Sequence, residues 1–143
     1  MKKINILIII LIVIFLIWLV YLSFFWFIEV PGETFIISEN EIYWDKLEDV
    51  ENINIDVNVE DGGTIDVLLM TPEQYGDFTN HLQYQNKWDD YSIIEEASRF
   101  NTKTHQTRVS LEKGNYYIVV DNSKTIGTTP TGDITVHIKV TAE

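Results

Sequence analysis

The chain contains no cysteine. Disulfides, thiolate metal sites and cysteine nucleophiles are therefore excluded. It has no Asn-x-Ser/Thr acceptor sequence, although asparagine is common. It is also poor in positive charge. Between Lys3 and Lys87 the single basic residue is Lys46. Residues 29–77 hold 14 acidic side chains and that one lysine, a net of −13, whereas residues 78–143 hold eight acidic and seven basic, a net of −1. Such a balance disfavours nucleic-acid binding, because contact with phosphates would be repulsive. It reads as a solvated acidic surface that resists self-association, or as a docking face for a cationic partner, or for an anionic one through divalent cations.

Catalytic signatures are missing too. There is no Gly-x-Ser-x-Gly, P-loop, Rossmann or His-Glu-x-x-His pattern, and His81, His105 and His137 lie far apart. No internal repeat or low-complexity tract is present. The expectation is a protein that is not an enzyme and takes no cofactor.

What is present first is a long apolar run. Residues 4–28 carry no charge, follow Lys2 and Lys3, and precede Glu29. About 20 helical residues at 1.5 Å each cross a hydrocarbon core of roughly 30 Å. Leu, Ile, Phe and Val favour insertion by a summed total of roughly 6–10 kcal/mol. Trp18, Tyr21 and Trp26, with the phenylalanines around them, crowd the C-terminal end as an interfacial belt would. A cleaved secretory signal would have a shorter core and a small-x-small site. Here bulky aromatics occupy that place. A type IV pilin or archaellin would have a small residue after the basic leader and, in pilins, an early Glu. This chain reads Lys3-Ile4-Asn5. The run is therefore expected to be an uncleaved signal-anchor. The lysine pair places residues 1–3 in the cytoplasm and the chain after Glu29 outside, in the cell membrane of a single-pass protein. An external domain without disulfides points to a prokaryotic surface.

Val30-Pro31-Gly32 breaks the helix, and residues 29–33 form a short linker. Residues 34–143 make one domain, long enough for a core without covalent staples. Strands are expected at 34–38 and 41–47, with Ile42, Trp44 and Leu47 inward. Residues 52–60 alternate Ile53, Ile55, Val57 and Val59 with polar partners, which marks a half-buried strand. Asp61-Gly62-Gly63 reads as a hairpin turn and 64–70 as the return strand, its Val67-Leu68-Leu69-Met70 end covered on both faces. Thr71-Pro72-Glu73-Gln74 carries an N-cap, a proline at the first helical position and a capping-box glutamine, which predicts a short helix to about Asn80. Further strands are expected at 91–97, at 104–111 with Val109 and Leu111 inward, at 115–121 after a Lys113-Gly114 turn, and at 133–141. The sum is an all-β fold, an antiparallel β-sandwich of seven or eight strands with one short helix, preceded by a single N-terminal transmembrane helix.

The stretch Leu111-Glu112-Lys113-Gly114-Asn115-Tyr116-Tyr117-Ile118-Val119-Val120-Asp121-Asn122, a loop, then Ile134-Thr135-Val136-His137-Ile138, resembles the end of GOLD domains, the β-sandwiches of p24 (emp24) proteins. Bacterial pre-peptidase C-terminal domains have a similar Gly-x-Tyr strand ending. Residues 53–72 also look like the GOLD hairpin that ends near a proline. The resemblance implies a sandwich and a non-enzymatic interaction module. The p24 disulfide, coiled coil and membrane helix after the domain are not matched here, so a cargo-receptor role does not carry over.

Two sets of residues stand out for binding. Tyr75, Phe78, Tyr84, Trp88 and Tyr91 sit in the longest interruption between strands, and Tyr and Trp are favoured interface and sugar-binding anchors. Asp89, Asp90 and Asp121 are weak calcium candidates in the absence of an EF-hand loop, and no metal is expected. The leading expectation is a membrane-anchored module that binds another cell-envelope protein. The alternatives are a structural envelope component, by architectural analogy with archaellum stators, and a glycan- or calcium-dependent ligand-binding domain.

Overall fold

The computed structural model describes residues 13–18, 32–84, 86–127 and 129–143. It divides into two units, Met1–Pro31 and Gly32–Glu143. In the first, residues 13–18 are helical, and Val13 to Trp18 are each between 48% and 63% exposed. Among the described residues no helix is long and apolar enough to cross a membrane. The rest of the expected span 4–28, with Tyr21 and Trp26, lies outside the described residues, as do Lys2 and Lys3.

The described residues of the second unit form six strands: β1 (Glu33–Ile37), β2 (Glu41–Asp61), β3 (Ile65–Met70), β4 (Arg99–Thr102), β5 (Thr104–Asn122) and β6 (Ile134–Ala142). One helix, α1 (Pro72–Gln83), follows β3, and a short 3-10 turn spans Glu95–Ala97. The strand order is β1-β6-β2-β5-β3-β4, with every pairing antiparallel. The described domain is thus all-β with one true helix.

The two long strands organise everything else. β2 and β5 pair along most of their length, with the register interrupted between Leu47↔Tyr116 and Asn52↔Ser110. Such an irregularity bends a strand and adds twist. Asp49 adopts a positive φ of 55° there, and its N–H is accepted by Asn115 Oδ1 at 3.0 Å. Below the bend, residues 41–47 of β2 and 116–122 of β5 join β3 and β4. Above it, residues 53–61 and 104–110 join β6 and β1. One continuous sheet is therefore folded into two layers.

Their facing sides share a core. Ile53, Ile55 and Val57 of β2 and Val136 and Ile138 of β6 meet Ile65, Val67 and Leu69 of β3 and Ile118 and Val120 of β5. Fully burying each Ile, Leu or Val contributes about 1.5–3 kcal/mol. A second, smaller core lies on the opposite face of the β3 layer, where Leu68, Met70 and Val119 meet Phe78, Trp88 and Ile126. Because both faces are covered, every residue of β3 is buried.

Several expectations are corrected. The sheet has six strands, because 41–47 and 52–60 are parts of one strand, as are 104–111 and 115–121. Lys113-Gly114 lies within β5 at the bend, and no turn interrupts the strand there. Asp61-Gly62-Gly63 does not close a hairpin. Beyond the bend β2 already has β5 and β6 on its two edges, so β3 has no edge to pair with and crosses to the other layer. Gly62 still needs its positive φ of 103°. The expected strand at 91–97 is a loop ending in the 3-10 turn, and the strand that pairs with β3 is the polar β4 just after it.

The helix start agrees with its signals. Thr71 Oγ1 accepts the Gln74 N–H at 3.3 Å, Gln74 Oε1 accepts the Thr71 N–H at 2.9 Å, and Pro72 sits at the first position. It continues past Asn80 to Gln83, because Phe78 and Leu82, one turn apart, dock on the second core. That burial outweighs the helix cost of Gly76, about 1 kcal/mol.

Candidate functional site

Alternation along β2 points Tyr43 and Leu47 toward the main core, which puts Ile42, Trp44 and Lys46 on the opposite face of the layer. Trp44 was expected inward. The residue is instead 51% exposed, because Tyr43 holds the inward position. Across the ladder Trp44 faces Val119 and Lys46 faces Tyr117.

The first turn of α1 sets Tyr75 against this face. Its ring stacks on Tyr117, centroids 4.1 Å apart and 3° from parallel. Trp44 leans on both, 5.7 Å from Tyr75 and 6.1 Å from Tyr117. Burial, and after it the neighbouring Tyr117, raises the pKa of Tyr75. At the rim, Lys46 Nζ pairs with Glu48; that hydrogen bond raises the lysine pKa and lowers that of the carboxylate. The result is a three-ring platform on a rigid sheet, half open to solvent, with one ion pair beside it.

The five aromatics singled out in sequence do not act as one set. Phe78 is fully buried and Trp88 is 5% exposed; both belong to the second core. Phe78 and Trp88 lie 5.9 Å apart, and His81 stacks on Trp88 at 5.7 Å. Tyr91, 41% exposed, meets Trp88 edge-on and Phe100 at 5.3 Å. Tyr84 stands apart at the helix end, 69% exposed. Only Tyr75 joins the platform. Trp44 and Tyr117 were missed as site residues. Reading Ile42, Trp44 and Lys46 as the face opposite Tyr43 and Leu47 would have exposed the first.

The carboxylate candidates also separate. Asp89 and Asp90 are exposed, and Asp89 pairs with Lys87 at 3.2 Å. Asp121 is fully buried at the end of β5, opposite Asp66, which is buried too. Among the described residues no group of three or more His, Cys, Asp or Glu is placed to hold a metal ion. Asp66 accepts the N–H groups of Asn101 at 2.7 Å and Gly127 at 2.9 Å. Asp121 Oδ1 accepts the Ser123 N–H at 2.8 Å, while its Oδ2 has no partner. Burial pushes the Asp121 pKa up to about 6, with hydrogen bonds from Ser123 opposing and the charge of Asp66 adding. These contacts tie the 123–127 loop to the sheet. The histidines are equally dispersed. Beside stacked His81, His105 Nε2 bonds the Ala97 carbonyl at 2.8 Å and His137 Nδ1 bonds Thr34 Oγ1 at 3.2 Å.

No protein-family model matches the chain, and no curated protein matches it. The GOLD resemblance therefore gains no support. Among solved structures, the chain is similar to the pre-peptidase C-terminal domain of a Bacillus anthracis collagenase, at 18% identity and a TM-score of 0.45 over 78% of this chain and 90% of that one. It is also similar to a periplasmic inhibitor of g-type lysozyme from Aeromonas hydrophila, at 10% identity and a TM-score of 0.46 over 79% of this chain and 88% of that one. Neither likeness carries function across.

Proposed function

We propose that this chain is a non-catalytic interaction module, held at the outer face of a cell membrane by residues 4–28, that binds another envelope protein through the Trp44–Tyr75–Tyr117 platform. The anchor rests on the uncharged run behind Lys2 and Lys3, and on the exposed apolar helix of residues 13–18. The binding role rests on one observation: a tryptophan half exposed on the rigid sheet, backed by two stacked tyrosines. Leaving such a ring in water forgoes burial that an interface would supply, and buried Trp and Tyr anchors dominate interface energetics at about 2 kcal/mol or more each.

The test is a photo-reactive phenylalanine analogue placed at position 44 of the full chain in its native membrane. A discrete protein adduct is expected at position 44 and none at Tyr84. Irradiation that yields only the uncoupled chain, or equal adducts at both positions, overturns the proposal.

A further inference from the structure

The open side of the Trp44 platform is also an open strand edge. Residues 41–47 of β2 pair with β5 on one side. On the other side β6 pairs with β2 only from Ile53 onward, and among the described residues nothing pairs with 41–47. Seven residues offer an edge about 23 Å long. Unpaired edges are templates for an added strand, which supplies main-chain hydrogen bonds while alternate side chains meet the sheet face. Here the side chain at the centre of the edge is Trp44. A residue directly across from it on an added strand would lie within about 5 Å, over the ring. The Lys46 N–H on this strand is taken only by the exposed Asp45 Oδ1 at 2.8 Å, a side chain that an incoming carbonyl can displace.

Charge selects the occupant. Glu39, Glu41, Asp45, Glu48 and Asp49 follow the edge and its two ends, and all five are exposed. Lys46 is held by Glu48, and Lys113 reaches Asp49 at 3.3 Å. Glu39, Glu41 and Asp45 join no ion pair among the described residues. A second copy of this chain would bring the same carboxylates face to face and is disfavoured. A segment rich in Lys and Arg would neutralise them, and its cationic heads would meet the faces of Trp44 and the tyrosines.

We infer that the free edge of β2 at residues 41–47, with the Trp44–Tyr75–Tyr117 platform, docks an extended basic polypeptide segment of the partner as an added strand. This rests on the binding role proposed above and names the partner's chemistry.

The experiment presents the full-length protein in neutral-lipid nanodiscs to a displayed library of random nine-residue peptides. The enriched peptides should carry Lys or Arg in excess, and a synthetic peptide of their consensus should bind. Trp44→Ala should weaken it about tenfold. The doubly charge-reversed Glu41→Lys/Asp45→Lys protein should weaken it at least as much, as should raising salt from about 50 to about 500 mM. Tyr84→Ala should leave it unchanged. These substitutions are at exposed side chains, and circular dichroism confirms that each variant is folded. No enrichment, enrichment of neutral or acidic peptides, or binding that ignores both Trp44→Ala and the charge reversal overturns the inference. If the crosslink at position 44 still captures a protein, the interaction role survives and only the basic strand fails. If neither experiment gives a product, both fall.

Discussion

Replacing Asp121 by Asn should change how the stability of the domain depends on pH. Asp121 is fully buried, and burial, more than any neighbouring group, raises its pKa from 3.8 to about 6. In the unfolded chain the same carboxyl titrates at its ordinary value. The folded state therefore keeps a proton that the unfolded state has released, so stability falls as pH rises from about 4 to about 6 and levels off above it. A shift of roughly two units corresponds to about 3 kcal/mol of lost stability by pH 7. Asparagine is nearly isosteric and carries no charge to bury. Its Oδ1 can still accept the Ser123 N–H, the bond that Asp121 Oδ1 accepts at 2.8 Å. Its amide hydrogens replace Oδ2, which has no partner, and leaving them unbonded adds a pH-independent cost of about 1–3 kcal/mol. The absolute stability of Asp121→Asn at one pH is therefore uninformative. Its difference from the native protein between pH 4 and pH 7 is the readout, and it should move by about 2.4 kcal/mol in favour of the asparagine variant, since part of the loss already lies below pH 4. Urea unfolding of the full chain in detergent, followed by near-ultraviolet circular dichroism at each pH, measures it. Parallel curves for the two proteins across this range would refute the assignment of a raised pKa to this buried carboxyl.

Two further predictions follow from the packing. Phe78→Ala should cost about 3–5 kcal/mol, because the ring is fully buried under α1, whereas Tyr84→Ala, six residues later and 69% exposed, should stay within about 0.5 kcal/mol; urea midpoints decide. Asn122→Ala should cost about 2–3 kcal/mol by thermal or urea unfolding, since the buried Asn122 Nδ2 donates to the carbonyls of Ile37, Ser38 and Gly132 at 3.0–3.2 Å and the substitution removes all three bonds.

The alternating stretch 52–60 and the last strand were legible because one face of each meets the core and the other meets water, and the pattern of apolar residues records that directly. The capping box and proline of α1 were legible because their chemistry is confined to four residues. The run Val67-Leu68-Leu69-Met70 correctly indicated two covered faces, though not what covered them. The bend at 47–52 was hidden. A strand that continues through a bulge and two strands joined by a turn have the same short-range composition, and Lys113-Gly114 reads as a turn in either case. β4 was hidden as well, since Arg99-Phe100-Asn101-Thr102 carries no alternation and is a strand only because the outer edge of β3 is available to it.

The candidate site divides in the same way. Its acidity and its wealth of aromatics are properties of the chain and were plain from residue counts. Which rings are exposed is not such a property. Phe78 and Trp88 looked like surface anchors in a polar segment, yet that segment folds over the β3 layer and buries both. Trp44 looked like a core residue, yet its place opposite Tyr43 turns it outward.

By itself, then, the sequence determined the absence of disulfides, the uncharged run at 4–28, the −13 stretch after it and the all-β character of the domain, because each depends on composition or on a period of two residues. Only the tertiary structure decided that, among the described residues, six strands and not seven or eight make the sheet, that β2 leaves an edge open at 41–47, and that Trp44, Tyr75 and Tyr117 meet. These three rings are separated by 31 and 42 positions along the chain, and no local pattern encodes a contact that depends on how a bent sheet receives a helix on its outer face.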